Sequence, residues 1–368
     1  MTNHIPLMTL RPLFGHAGVR QRLAQSLHLG KLPASLLFTG PIGVGKQRLG
    51  LWLGQLLLCE RANAERLAEP CGECLHCRYA LRGQHPDLHW FFPRPRLSDP
   101  DVEDAKSDMH DATQQRMAND GLWTAPGGLD GIFMVSVKAL LQMASFRPAM
   151  AKRVVFLVGD AERMVPQVSS PEAANAFLKI LEEPPPDTTI ILTSSEAGAL
   201  LPTIRSRVVT VRVQPLAAAD VSAFLDDPEV SKHVKVGSRA EMVASASGAP
   251  GMLLASDDTK GAFNSARQML DAALQPTGPQ GTAERVKVAA RQGVTGARGA
   301  FSDTLDALVH LLHERARQLA MAGHDRQARR TAQGIVTVLQ MKDRTLQNVS
   351  PNLMTASLVK SLHTLLTP

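Results

Sequence analysis

Gly40-Pro41-Ile42-Gly43-Val44-Gly45-Lys46-Gln47 constrains the fold more than any other stretch of the chain. Before it runs Ser35-Leu36-Leu37-Phe38-Thr39, an apolar segment of the right length for a buried strand. After it, Leu49, Leu51, Trp52, Leu53, Leu56, Leu57 and Leu58 predict a helix over 47–58, buried on much of its surface. Strand, glycine-rich turn and helix N-terminus form the context that a phosphate-binding loop needs. The glycines let successive backbone N–H groups converge on an anion, the helix dipole adds positive potential, and Lys46 can reach the outer phosphates. Gly40, Gly43, Gly45 and Lys46 are the expected phosphate contacts. The motif then requires Ser or Thr, whose hydroxyl ligates magnesium, and here the residue is Gln47. A glutamine oxygen is a poor and badly placed substitute. The expectation is a degenerate loop whose ATP binding stays open.

The rest of the chain supplies a sheet for that loop. His85 to Phe92 reads as a strand, and Arg153 to Val158, Thr189 to Ser195 and Val208 to Val213 are further apolar runs, separated by helical patterns over 132–143, 173–181 and 200–206. Strands alternating with helices, all apolar, predict a parallel α/β sheet covered on both faces. Between Pro93 and Gly131 the chain turns polar and acidic, with Asp99, Asp101, Glu103, Asp104, Asp108 and Asp111, and reads as a partly disordered surface insertion at about 94–131. His110 within it reads as solvated charge rather than a metal ligand. Beyond Pro215 the strands give way to helical spacing, with a joint at 275–282. The final helix takes Ser350 as N-cap and Pro351 at its first position. Length alone, 368 residues, suggests two or three domains.

All four cysteines, Cys59, Cys71, Cys74 and Cys77, fall in one short segment. Thiolates at Cys-x-x-Cys spacing can wrap a tetrahedral ion, and a fourth from the end of the preceding helix closes the site, which predicts structural zinc. An iron–sulfur cluster is the rival, without the trailing Cys-Pro usual there, and a metal-free cluster is the third possibility. His76 lies among them, but four thiolates suffice. No stretch has the length of a membrane span, and Met1 to Thr9 lacks a signal-peptide profile, so a cytoplasmic protein without a membrane partner is expected. The net charge of +6 is compatible with nucleic acid, while aromatics at 4% offer few stacking platforms for single strands.

Taken in order, the loop, the cysteine cluster, Ala174-Asn175-Ala176-Phe177-Leu178-Lys179-Ile180-Leu181-Glu182-Glu183-Pro184-Pro185, Ile204-Arg205-Ser206-Arg207 and Asn348-Val349-Ser350-Pro351-Asn352-Leu353 resemble the bacterial DNA polymerase III clamp-loader subunits, an AAA+ family. Only the insertion lies outside the resemblance. It implies an AAA+ P-loop α/β domain at 1–213 with the zinc module at 59–77, a small helical lid at 214–262 and an all-α collar domain at 263–368 that joins subunits. It also implies work in DNA replication alongside motor (γ/τ) and δ subunits, the sliding clamp and primed DNA, as part of the polymerase holoenzyme.

Within the family the chain looks like the non-motor δ′ type. Laid on Val155 to Val158, the motor's Asp-Glu pair falls on Gly159-Asp160, or with a one-residue slip on Asp160-Ala161, broken either way, and Gly248-Ala249-Pro250-Gly251-Met252 offers no arginine at the lid position. With Gln47, these departures imply lost hydrolysis. Arg207 then has the place of an arginine finger acting in trans on a neighbour's ATP, with Val208 where the family's Ser-Arg-Cys motif has cysteine. The alternatives are an ATP-hydrolysing motor subunit or other AAA+ ATPase, and a zinc-containing nucleic-acid-binding module.

Overall fold

The computed structural model describes residues 9–126, 130–164, 172–234, 238–254, 257–292, 298–344 and 351–367. The chain divides into two compact units, the first ending at Leu254 and the second beginning at Ala255.

The first unit holds α1 (Ala17–His28), β1 (Ser35–Thr39), α2 (Lys46–Leu58), α3 (Glu60–Glu65), α4 (Leu75–Leu81), β2 (Leu88–Phe91), α5 (Val102–Ala118), α6 (Met134–Ala144), β3 (Val154–Val158), α7 (Glu172–Glu182), β4 (Thr188–Ser194), α8 (Pro202–Arg205), β5 (Val209–Arg212), α9 (Ala218–Asp226), α10 (Pro228–His233) and α11 (Arg239–Ala246). The strands form one sheet in the order β2-β3-β4-β1-β5. Every pairing is parallel, with Leu36 opposite Ile191 and Val209, and Leu157 opposite Ile191 and Trp90. Parallel strands covered on both faces are apolar throughout. Leu36, Leu37, Phe38, Val155, Phe156, Leu157 and Ile190 to Leu192 are accordingly buried.

Helix α2 lies very close to this sheet because two of its residues have no side chain. A β-carbon on Gly50 would lie 2.5 Å from Leu157 Cδ1, and one on Gly54 would lie 2.7 Å from Leu88 Cδ1. The two glycines, one helical turn apart, let the backbone itself pack on β2 and β3. Arg48 is the one residue of α2 that is not buried.

The segment at 94–131, expected to be partly disordered, instead contains the 17-residue helix α5. Asp101 Oδ1 accepts from the Asp104 amide at 2.9 Å and Asp104 Oδ2 accepts from the Asp101 amide at 3.0 Å, a reciprocal capping box. Ala105, Met109, Ala112 and Met117 form its buried stripe at helical spacing. Acidic residues crowd the opposite face, which is why the segment reads as polar overall. The flanks close through paired Arg94–Gly131 backbone bonds and a two-pronged Arg94–Asp108 ion pair at 2.9 and 3.0 Å.

Helices α9, α10 and α11 enclose a small separate core of Val221, Phe224, Leu225, Val230 and Ala246, joined by Leu122. The second unit is helical: α12 (Asp257–Leu274), α13 (Pro279–Gln292), α14 (Arg298–Met321), α15 (Asp325–Arg344) and α16 (Pro351–Leu366). Its core gathers Met269, Leu305, Leu308, Leu312, Val338, Leu358 and Leu362. The domain boundary drawn at 262 from sequence runs through α12, which starts this unit. Pro351 opens α16, while Asn348, Val349 and the expected N-cap Ser350 lie outside the described residues.

Asp87, just before β2, fixes the entry to β3. Its carboxylate accepts from the amides of Ala149, Met150 and Ala151 at 2.6, 2.8 and 2.7 Å, and its own carbonyl accepts from Val155 N at 2.9 Å. Burial pushes the acid's pKa up, but the three N–H donors outweigh it and hold the group below the ordinary aspartate value. A depressed pKa contributes stability above the unfolded-state value near 4, and that stability is lost as pH falls through the folded pKa. Replacing Asp87 with Ala is expected to cost about 3 kcal/mol at neutral pH, since it strands several buried donors. The deficit should shrink as the pH is lowered below about 4, as urea unfolding followed across pH would reveal.

Candidate nucleotide and thiol sites

The phosphate loop joins β1 to α2. Gly43 and Gly45 have φ of 77° and 94°, the left-handed region in which a glycine is unstrained. A β-carbon on Gly40 would meet the Val213 carbonyl at 2.3 Å, so the base of the loop also needs a bare backbone. His16 Nε2 pairs with the Val44 carbonyl at 2.8 Å, and burial holds this histidine below its ordinary pKa. From the turn after α11, Gly251 N donates to the Gly43 carbonyl at 2.9 Å. Gly251 and Met252 therefore meet the loop through backbone.

Lys46 is buried, and its ammonium is solvated by protein. It donates to the carbonyls of Gly40 at 2.9 Å and Pro41 at 2.8 Å, and to Ser195 Oγ at 2.8 Å. Burial holds its pKa below the ordinary lysine value, while Asp160 and Glu162 oppose the shift. Glu162 accepts from Ser195 N at 2.9 Å through one oxygen, and its other oxygen has no protein partner. Burial, reinforced by the Asp160 charge, raises the pKa of this carboxyl. Sequence reading weighed Gly159, Asp160 and Ala161 as the carboxylate positions and passed over Glu162, whose single-turn 3-10 segment (Ala161–Met164) turns it back toward Lys46.

Gln47 sits where the magnesium-binding hydroxyl is expected. Its Nε2 donates to Asp160 Oδ2 at 2.9 Å, and its Oε1 accepts from Trp90 Nε1 at 2.9 Å and from Arg116 at 3.4 Å. The Arg116 guanidinium stands 3.3 Å from the ring centre of Phe92, 4.5 Å from Trp90 and 5.3 Å from Trp123. Burial lowers its pKa to about 9, so it remains a cation at neutral pH. A magnesium ion needs near-octahedral oxygen ligands at about 2.0–2.1 Å. The residues here do not fit that ion: the amide oxygen faces two donors, and the nearby carboxylate is held by an N–H.

The four cysteine Sγ atoms lie within 4.8 Å of one another. Cys71 to Cys77 and Cys74 to Cys59 are each 3.9 Å apart. Tetrahedral thiolates at a Zn–S distance of about 2.3 Å would be separated by about 3.8 Å, so this donor set fits such an ion. Cys59 Sγ accepts from the amides of Ala62 at 3.3 Å and Cys71 at 3.4 Å, and Cys71 Sγ accepts from Cys74 N at 3.3 Å. Burial pushes the Cys59 and Cys77 thiols up, whereas at Cys71 the amide donors overcome burial and bring the pKa to about 7.

His76 faces away from the cluster into a polar relay. The Asp87 amide donates to His85 Nδ1 at 3.0 Å, so His85 Nε2 carries the proton and donates to His76 Nδ1 at 2.8 Å. His76 Nε2 then faces Glu60 at 3.3 Å.

Arg207, just past α8, is half-buried and pairs with Glu182 at the end of α7, while also donating to the Thr203 carbonyl at 2.9 Å. Two of its hydrogen-bonding partners, Glu182 and Ser206, come from the sequence motifs that singled it out.

A parallel sheet with a phosphate loop at the end of one strand, followed by helical modules, defines a P-loop α/β protein. Residues 15–217, more than half of the chain, match the family described as DNA polymerase III, delta subunit, and the chain belongs to that family. It is 29% identical over 216 residues to the DNA polymerase III subunit delta′ of Bacillus subtilis, covering 59% of this chain and 53% of that protein. It is 32% identical over 186 residues to the delta′ subunit of Pseudomonas aeruginosa, covering 50% and 44%. The tau subunit of Escherichia coli matches at 26% over 232 residues, 63% of this chain and 29% of tau. The chain thus spans about half the length of the delta′ relatives it matches, and it is delta-prime-like.

If the four thiols act as one tetrahedral site, Co²⁺ added to the metal-free protein should give intense thiolate-to-cobalt absorption and visible bands of tetrahedral type. Cys77→Ser should weaken both; octahedral spectra would show that the thiols do not act together.

Proposed function

We propose that the chain is a δ′-type subunit of a DNA polymerase III clamp loader that hydrolyses no ATP itself and completes the active site of a neighbouring motor subunit. The observation that carries the reading is the Gln47–Asp160–Trp90 network, which stands where a hydrolysing loop needs a magnesium ligand and a free carboxylate. The partners are motor (γ/τ) and δ subunits, and the assembly loads the ring-shaped sliding clamp onto primed DNA in the cytoplasm during replication. Residues 214–262 serve as the lid and 263–368 as the collar that joins subunits. Cys59, Cys71, Cys74 and Cys77 hold a structural zinc ion with no open position for chemistry. Gly40, Gly43, Gly45 and Lys46 are a phosphate-loop remnant.

Arg207 is the arginine finger. An exposed carboxylate partner suits this role, because Glu182 orients the guanidinium without burying it, and a surface ion pair is weak enough to exchange for a phosphate. A finger of this kind stabilises charge on the transferring phosphoryl group across the subunit boundary.

The runner-up is an ATP-hydrolysing γ/τ-type motor, favoured by the match to tau. The two are separated by turnover. The isolated chain is expected to hydrolyse no ATP above background. In a loader reconstituted with the host's motor and δ subunits, Arg207→Ala should slow the ATP site it completes by on the order of 10³. Intrinsic ATPase in the isolated chain would favour the motor, and unchanged turnover in the Arg207→Ala loader would remove the finger.

A further inference from the structure

In a working phosphate loop the residue after the lysine and a carboxylate at the end of the neighbouring strand face one another across a magnesium ion. In this chain both positions are changed, and the changes interlock. A β-carbon on Gly159 would lie 2.4 Å from Cδ of Gln47, 2.5 Å from its Oε1 and 2.6 Å from its Nε2. No side chain of any kind fits at 159 while the amide stays where it is. Gly159 also donates its own N–H to the Phe91 carbonyl at 2.7 Å, which ties its backbone to the end of β2 and leaves it little room to withdraw.

The amide in turn is fixed on three sides. Asp160 accepts from it, the Trp90 indole donates to it, and Arg116 adds a longer contact at 3.4 Å. Arg116 comes from α5 and Trp123 from the chain that follows it, so the helical insertion closes over this point. The guanidinium rests on aromatic faces, which stabilise a cation without neutralising it. A fixed positive charge stands beside the amide, where a divalent ion would meet both steric exclusion and repulsion.

We propose that the magnesium position of this loop is filled from within the chain: the Gln47 amide occupies it, Gly159 makes room for the amide, and Arg116 supplies positive charge beside it. A nucleotide polyphosphate held by Gly40 to Lys46 is then held without a divalent ion. This deepens the non-hydrolysing part of the function proposed above and rests on it. A chain can lose hydrolysis and keep a metal site, so the experiment separates the two.

The full chain is titrated with Mn²⁺ in the presence of ADP, and bound ion is read from loss of the free Mn²⁺ resonance, with Lys46→Ala as reference. The expected result is no Lys46-dependent Mn²⁺ beyond what ADP alone binds. Lys46-dependent Mn²⁺ without ATPase would overturn the filled site and leave the non-motor reading standing; ATPase would overturn both. A second measurement needs no ligand. Gly159→Ala should lower the melting midpoint by roughly 4–8 °C in the native background, as expected for overpacking in a unit of this size. In a Gln47→Ala background the same change should cost less than about a third of that, because the collision is gone. Equal losses in the two backgrounds would show that the positions are not coupled and sink the proposal.

Discussion

The contact on which this phosphate-loop fold turns is the hydrogen bond from the Gln47 amide to Asp160, backed by the Trp90 indole. It joins the first turn of α2 to the end of β3, two elements that a working loop would join through a metal ion, and ties both to the end of β2. An amide can do this because it offers donors and an acceptor at once, whereas a carboxylate pair would leave like charges facing each other. Around it two cations are solvated by the chain itself: buried Lys46 by two loop carbonyls and a serine, half-buried Arg116 by aromatic faces. Buried charge is tolerated only where such partners exist. The loop keeps the backbone turn of a phosphate site and has direct hydrogen bonds around the Gln47 amide where a working loop has an ion.

Much of the fold is legible in the sequence because parallel strands announce themselves. Leu36 to Phe38, Val154 to Val158 and Ile190 to Leu192 are continuous apolar runs, and no amphipathic surface strand reads that way. The cysteine cluster is legible for a different reason: ligand spacing is local, and three of its four members lie within seven residues, Cys71 to Cys77. Helix α5 was hidden. Its buried face is made of Ala and Met, weak markers, and the acidic residues of its exposed face dominate the composition.

The aromatic cage was hidden more deeply, since Trp90, Phe92, Arg116 and Trp123 come together only when β2 and the insertion pack. Glu162 was missed because a reading by strand alignment stops at the residues directly after β3, whereas a tight turn brings a later carboxylate back. Gly159 was noticed as a missing carboxylate. What sequence did not supply is its positive role as the space in which the Gln47 side chain lies.

One further feature ties the loop to the thiols. Cys59 is at once the C-terminal cap of α2 and the N-terminal cap of α3, so the helix that starts at Lys46 ends on a sulfur of the cluster. Thirteen residues of nearly wholly buried helix make a rod about 20 Å long between the two. Such a rod is also a phase lock. One residue gained or lost anywhere along it would swing the Cys59 sulfur by about 100° around the helix axis and shift it about 1.5 Å along. The glycines that seat α2 on the sheet would turn with it. The length of α2 is therefore quantised: loop and thiol cluster can each change in composition, but the count of residues between them cannot.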